Sequence, residues 1–271
     1  MSNKILFLIG PPRSLSTAFL RMMQVRGDFK VMNEPSSAVF NTKHYPQSKH
    51  AYTTQALSSY AEVTNKIKEQ AAHQSVFIKE MSFAFDEYIQ AEPSMLLDPR
   101  VSYVFLLRDP HQCIISYYQK MDPRFADYLI GDLGKLTGFR ALLHSFKTVQ
   151  DKAVNKPFLL DVATLCNNPI ETMESLCIHM GLEHKPASLQ WQNLSADFDG
   201  HKEWDESKKK ESTQHWHLDA ILSRRFHQPT RYELDEELNP TFTEIANPRH
   251  KKHCIDVYID SKQVYEEMLN A

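Results

Sequence analysis

The sequence predicts an α/β fold in which a mainly parallel central sheet is flanked by helices. Two observations carry this: short continuous apolar runs typical of strands buried on both faces, and stretches of helical length between most of them. The runs are Ile5 to Ile9, Phe29 to Met32, Val76 to Ile78, Val101 to Leu107 and Pro157 to Val162; the helical stretches are 54–73, 110–120, 133–153 and 169–180. With 42% hydrophobic and 24% charged residues among 271, the chain can bury a sizeable core, and wholesale disorder is excluded.

The first run stops at Gly10-Pro11-Pro12, a turn signal that ends a strand. Ser14 or Ser16 is then placed to cap a helix whose Phe19, Met22 and Met23 fall at i, i+3 and i+4 as one apolar stripe. The second run leads into Val31-Met-Asn-Glu34-Pro35, where Pro35 is expected to keep Glu34 extended. The third ends in Lys79-Glu80, and the fourth in Arg108-Asp109-Pro110, with Asp109 a natural N-cap and Pro110 a natural first helical residue. Beyond about residue 182 the periodicity weakens. Residues 201–217 and 239–253 read as polar surface segments around a helix near 215–228. With no internal repeat and no long flexible linker, a single domain over residues 1–271 is the expected organisation.

A formal charge of −3 supplies no global attraction for a nucleic-acid polymer or an anionic membrane. Cys113, Cys166, Cys177 and Cys254 show neither a CxxC pair nor metal-ligand spacing, which points to a reducing compartment and to no bound metal. The N-terminal apolar run is too short for a secretory leader or a membrane span, so the expected location is cytoplasmic.

Two segments carry candidate chemistry. Gly10-Pro-Pro-Arg-Ser-Leu-Ser-Thr17 joins a buried strand to a helix N-terminus, where unpaired N–H groups and the helix dipole favour an anion. Arg13 adds a forked cation, and Ser14, Ser16 and Thr17 add hydroxyls. Against the nucleotide-triphosphate pattern GxxxxGK[ST], Leu15 replaces the second glycine and Ser16 the lysine, so the Mg-nucleotide machinery is not spelled out. A plain capped helix, with its arginine on a surface carboxylate, satisfies the same local pattern. In the second segment, Arg108 lies at the carboxyl end of a parallel strand and Ser116 about two turns into the following helix. The two can converge on a second phosphate, or form a surface salt bridge and a helix-surface serine.

Together these segments resemble the sulfotransferase family, in which a P-[RK]-S-[GS]-[ST]-T loop and a later R-D-P…S element occur in this order. The matches are Pro12-Arg13-Ser14-Leu15-Ser16-Thr17 and Arg108-Asp109-Pro110 to Ser116, with Leu15 departing from the family's frequent glycine. The resemblance spans about residues 4 to 120 and implies a P-loop nucleotide-hydrolase-like sulfotransferase fold. It implies that the first loop binds the 5′-phosphosulfate end of 3′-phosphoadenosine 5′-phosphosulfate (PAPS), whose product is 3′-phosphoadenosine 5′-phosphate (PAP). Arg108 and Ser116 are then the 3′-phosphate ligands, and Lys79 resembles the family lysine that stabilises charge on the bridging oxygen. Glu34 matches the position of the glutamate base of the tyrosylprotein and some bacterial glycolipid members. Many cytosolic members place a histidine two residues after the lysine; here Met81 stands there.

Sulfuryl transfer moves a group with charge spread over three oxygens, so positioning and cationic donors can do most of the catalysis without a metal. On this reading Arg13, Lys79 and Glu34 are the catalytic residues, and the acceptor is a hydroxyl or amine of a small molecule. Glu80 is the next carboxylate to consider, its blander explanation being a surface pair with Lys79. His44, His50 and His111 are further candidate bases. Residues 36–60, with Tyr45 and Tyr52, are expected to cover the acceptor. Lys202, Trp204, Lys208 to Lys210, Ser212, Thr213 and Trp216 are expected to close the cofactor side. The alternatives are a Mg-ATP-dependent P-loop kinase and a non-catalytic nucleotide-binding or interaction protein on the same fold.

Overall fold

A computed structural model describes residues 2–46, 57–121, 126–191, 223–227 and 240–271. Five strands, β1 (Ile5–Gly10), β2 (Lys30–Asn33), β3 (Val76–Met81), β4 (Val101–Leu107) and β5 (Phe158–Asp161), form one sheet in the order β2-β3-β1-β4-β5. Every pairing is parallel, with Phe7 in register with Ile78 on one side and Tyr103 on the other. The apolar runs are continuous because both faces are covered. Ile5, Phe7 and Ile9 enter one core, and Leu6 and Leu8 enter the other.

On the first face pack α3 (Tyr60–His73), α4 (Ser82–Ala91), α8 (Phe139–Lys152) and the end of α11 (Pro248–Leu269), through Ile67, Phe85, Phe146 and Met268. On the second lie α1 (Ser16–Arg26), α9 (Val162–Asn167) and α10 (Pro169–Met180), through Phe19, Leu165 and Leu176. A third apolar cluster joins Ile114 and Ile115 of α5 (Pro110–Lys120) to Phe242, Cys254 and Tyr258. Trp191 closes the second face. Its indole N–H donates to the Ser223 carbonyl at 2.7 Å, its main-chain N–H donates to the Arg224 carbonyl at 3.0 Å, and its ring meets Phe226 edge-on.

The strands fall on the apolar runs, α5 starts at the cap read for it, and α10 fills the helical stretch 169–180. Four expectations change. The stretch 54–73 begins its described helix only at Tyr60, because Ser59 accepts from the Glu62 N–H and so marks the true start. The stretch 133–153 is two helices, α7 (Leu133–Thr137) and α8, broken at Gly138, whose φ of 70° ends the first. Of the helix expected near 215–228, Ser223 to His227 are not helical, and the rest lies outside the described residues. Finally, the surface segment read over 239–253 runs into α11. Asn247 caps that helix by accepting from the Arg249 and His250 N–H groups, and Pro248 occupies its first position. The helices α2 (Pro35–His44), α4 and α6 (Ala126–Leu129) were not anticipated, although Phe85, Tyr88 and Ile89 of α4 fall at i, i+3 and i+4.

Candidate active site

The chain leaves β1 into α1 on one face and leaves the adjacent β4 into α5, whose Cys113 belongs to the core of the other. A parallel sheet opens a crevice at the carboxyl ends of two such strands. Gly10 ends β1 there, and a Cβ on it would sit 2.7 Å from Ser14 Oγ and 3.2 Å from Leu106, so the loop folds back over a residue that must lack a side chain.

Arg13 and Leu15 both adopt left-handed backbone, with φ of 68° and 65°. Such reversals turn main-chain N–H groups inward into an anion-binding concavity, at roughly 1–2 kcal/mol for each non-glycine residue. The expectation that Ser14 or Ser16 caps α1 is corrected. Leu15 holds the cap position without a side-chain cap bond, Ser16 is the first helical residue, and Ser14 Oγ is buried with no hydrogen-bond partner. Leucine has no acceptor to offer the first N–H groups of α1, so the cap position itself supplies none. A buried, unpartnered hydroxyl in a loop of this shape fits an anionic group.

The second segment meets the first. Asp109 caps α5, accepting from the Gln112 N–H at 3.3 Å, with Pro110 at the first helical position as expected. Arg108 donates from Nε and Nη2 to Gln112 Oε1 at 3.1 and 3.0 Å, and from Nη1 to the main-chain carbonyl of Arg13. Its partners are therefore an amide and a carbonyl rather than a surface carboxylate. Of its five N–H groups these bonds use three, leaving two for a ligand. Arg13 in turn donates from Nε to Ser116 Oγ at 2.8 Å. Arg13, Arg108 and Ser116 thus share one side of the crevice.

Glu34 and Lys79 also meet. Lys79 Nζ pairs with Glu34 Oε1, and both residues are buried, at 1% and 6% exposure. Glu34 is not extended. It takes φ 56° and ψ 42°, because its N–H donates to the Lys79 carbonyl at 2.7 Å, continuing the ladder beyond Asn33, while Pro35 starts α2 at once. The surface pair expected between Lys79 and Glu80 is likewise corrected. Alternation along β3 sends the two side chains to opposite faces, and Glu80 is buried. Its Oε1 accepts from the Ser36 N–H at 2.7 Å and its Oε2 from Ser37 Oγ at 3.2 Å. Burial pushes its carboxyl up to about 7 despite the opposing bonds from Ser36.

The other candidates are engaged elsewhere or lie beyond description. His44 contacts Glu87 Oε1 at 2.6 Å at the far end of α2. His111 is buried edge-on against Phe242 at 4.6 Å, and burial lowers its pKa. Tyr45 donates to Asp132 at 3.2 Å. His50, Tyr52, Lys202, Trp204, Lys208 to Lys210, Ser212, Thr213 and Trp216 lie outside the described residues. Sequence reasoning missed Gln112 and the Ser36–Ser37 pair. Gln112 had one available signal, its i+4 spacing from Arg108 across a helix start.

A family profile described as the sulfotransferase domain matches residues 3–214. The chain belongs to the sulfotransferase family. Among solved structures, the sulfotransferase domain of the Synechococcus PCC 7002 olefin synthase matches with a TM-score of 0.51 at 12% identity, covering 99% of this chain and 96% of that one. A sulfotransferase domain from the curacin biosynthetic pathway gives 0.48 at 15% identity over 69% and 77% of the two chains. A mouse sulfotransferase complexed with PAP gives 0.48 at 7% identity over 100% and 90%. No curated protein matches the chain in sequence. In this sulfotransferase Leu15, the residue that departs from the loop pattern by not being glycine, takes left-handed backbone, which glycine adopts without steric cost. Among the described residues no helix is long and apolar enough to cross a membrane.

Proposed function

We propose that this sulfotransferase takes its sulfuryl group from PAPS and passes it to a hydroxyl or amine of a small-molecule acceptor, as a single domain over residues 1–271. The observation that carries the proposal is the convergence of Arg13, Arg108 and Ser116 at the carboxyl ends of β1 and β4. The donor, when bound, supplies a sulfuryl group activated by its link to the 5′-phosphate.

Pro12 to Thr17 hold the 5′-phosphosulfate end: the inward N–H groups and the Ser14 hydroxyl donate to its oxygens, and the Arg13 guanidinium adds charge. Arg108 holds the 3′-phosphate with the N–H groups it has not spent on Gln112 and Arg13, and Ser116 adds its hydroxyl. Lys79 supports charge developing on the bridging oxygen. Glu34, paired with Lys79, accepts the acceptor's proton at its carboxylate, a contribution of roughly 10² to 10⁴ in rate. All four cysteines are free thiols, which supports work in a reducing compartment such as the cytoplasm.

Calorimetric titration with PAP and with adenosine 5′-phosphate, each with and without Mg²⁺, tests the reading. PAP is expected to bind far more tightly than the monophosphate and without Mg²⁺. Arg108→Ala should remove most of the difference between the two nucleotides. Equal affinities in the wild-type protein, or Mg²⁺-dependent binding of ATP in preference to PAP, would overturn the donor assignment.

A further inference from the structure

A helix needs acceptors for its first N–H groups, and the side chain at the cap position ordinarily supplies one. At α2 that position belongs to Glu34, which makes no side-chain cap bond because its carboxylate is on Lys79. Pro35 has no N–H to satisfy, so the first donor needing a partner is Ser36. Glu80 fills the role from the neighbouring strand, one residue beyond the paired Asn33 and Lys79, with one oxygen on the Ser36 N–H and the other on Ser37 Oγ. At 1% exposure it leaves no route for water to take over.

We propose that Glu80 is a positioning residue for Glu34: by capping α2 from β3 it frees the glutamate at the helix's own cap position to reach Lys79. The proposal rests on the reading of Glu34 as the base. Without Glu80, the orphaned Ser36 N–H lies in a dry setting beside a carboxylate one turn-start away, and Glu34 is drawn back to cap its own helix.

Two readouts test this in the full chain. The first is the proton–nitrogen signal of the Lys79 ammonium, which Glu80→Ala should shift as Glu34→Gln does, while Glu80→Gln, whose amide oxygen still accepts from Ser36, should leave it in place. The second is hydrolysis of PAPS without acceptor, followed by release of PAP. Here Glu80→Ala should lower kcat roughly hundredfold with KM for PAPS little changed, and Glu80→Gln should restore most of it. If the alanine variant does not fold, Glu80→Asp, one methylene too short to reach Ser36, takes its place. A wild-type Lys79 signal in the alanine or aspartate variant overturns the proposal, as does an equal kcat loss in the glutamine variant. If Glu34→Gln hydrolyses PAPS at the wild-type rate, the base assignment fails, and the Lys79 signal still decides the positioning claim.

Discussion

Arg13 Nε donates to Ser116 Oγ at 2.8 Å, joining two segments 103 residues apart. Arg108 reinforces the join by donating to the Arg13 carbonyl, so the two candidate phosphate cradles form one interlocked unit. Ser116→Ala should therefore weaken adenosine 5′-phosphate as well as PAP, because Arg13 loses its support. Gln112→Ala, which removes an anchor of Arg108 and leaves the Arg13–Ser116 bond in place, should weaken PAP preferentially. Hydrogen bonds to charged groups of about 1.5–3 kcal/mol put each loss at roughly 10- to 100-fold in Kd by calorimetry.

Leu15 sits in left-handed backbone at the mouth of the loop. Alanine keeps the steric cost of that conformation and glycine does not, so Leu15→Gly should be more stable than Leu15→Ala by about 0.5–1 kcal/mol in urea titrations. In a helix interior the order of the two residues is the reverse.

Glu80 makes stability depend on pH with a definite sign. Burial raises its folded carboxyl to about 7 from an ordinary value of 4.5, so the folded chain holds this proton more tightly than the unfolded one. Its favourable contribution is complete below about pH 4.5 and is lost as pH rises through about 7, to the extent of about 3 kcal/mol. Urea midpoints from pH 5 to 8 should fall less steeply for Glu80→Gln than for the wild type.

The buried Lys79–Glu34 pair predicts strong non-additivity. Glu34→Gln and Lys79→Met should each cost about 3–5 kcal/mol by stranding the other group. The double variant should recover most of that stability while remaining inactive, which separates folding from catalysis by denaturation and turnover measured side by side.

The elements legible in the sequence are those with local punctuation. β4 and α5 follow from an apolar run ended by Arg108-Asp109-Pro110, and α10 from Pro169 at its start and Gly181 past its end. The Gly10–Thr17 loop and the Arg108–Ser116 element stood out for the same reason, and the structure brings Arg13 onto Ser116. What escaped was set by tertiary contact. Leu15 and Glu34 are residue types that do not advertise positive φ, and Glu34 takes it where its N–H meets the Lys79 carbonyl of a strand distant in sequence. Glu80 reads as a surface charge because nothing nearby shows that α2 will cover it. α11 was obscured by its basic first turn, although Asn247-Pro248 is a helix-start signal.

The bonds from Trp191 to Ser223 and Arg224 have a consequence for how this protein can diverge. They bring two points 32 positions apart in the chain to a common doorway, which Arg21 of α1 also holds through the Ser223 carbonyl. Both doorposts therefore have to be inherited together: a substitution at Trp191 withdraws one of the two described side-chain donors on the Ser223 carbonyl and leaves that strip of chain to Arg21.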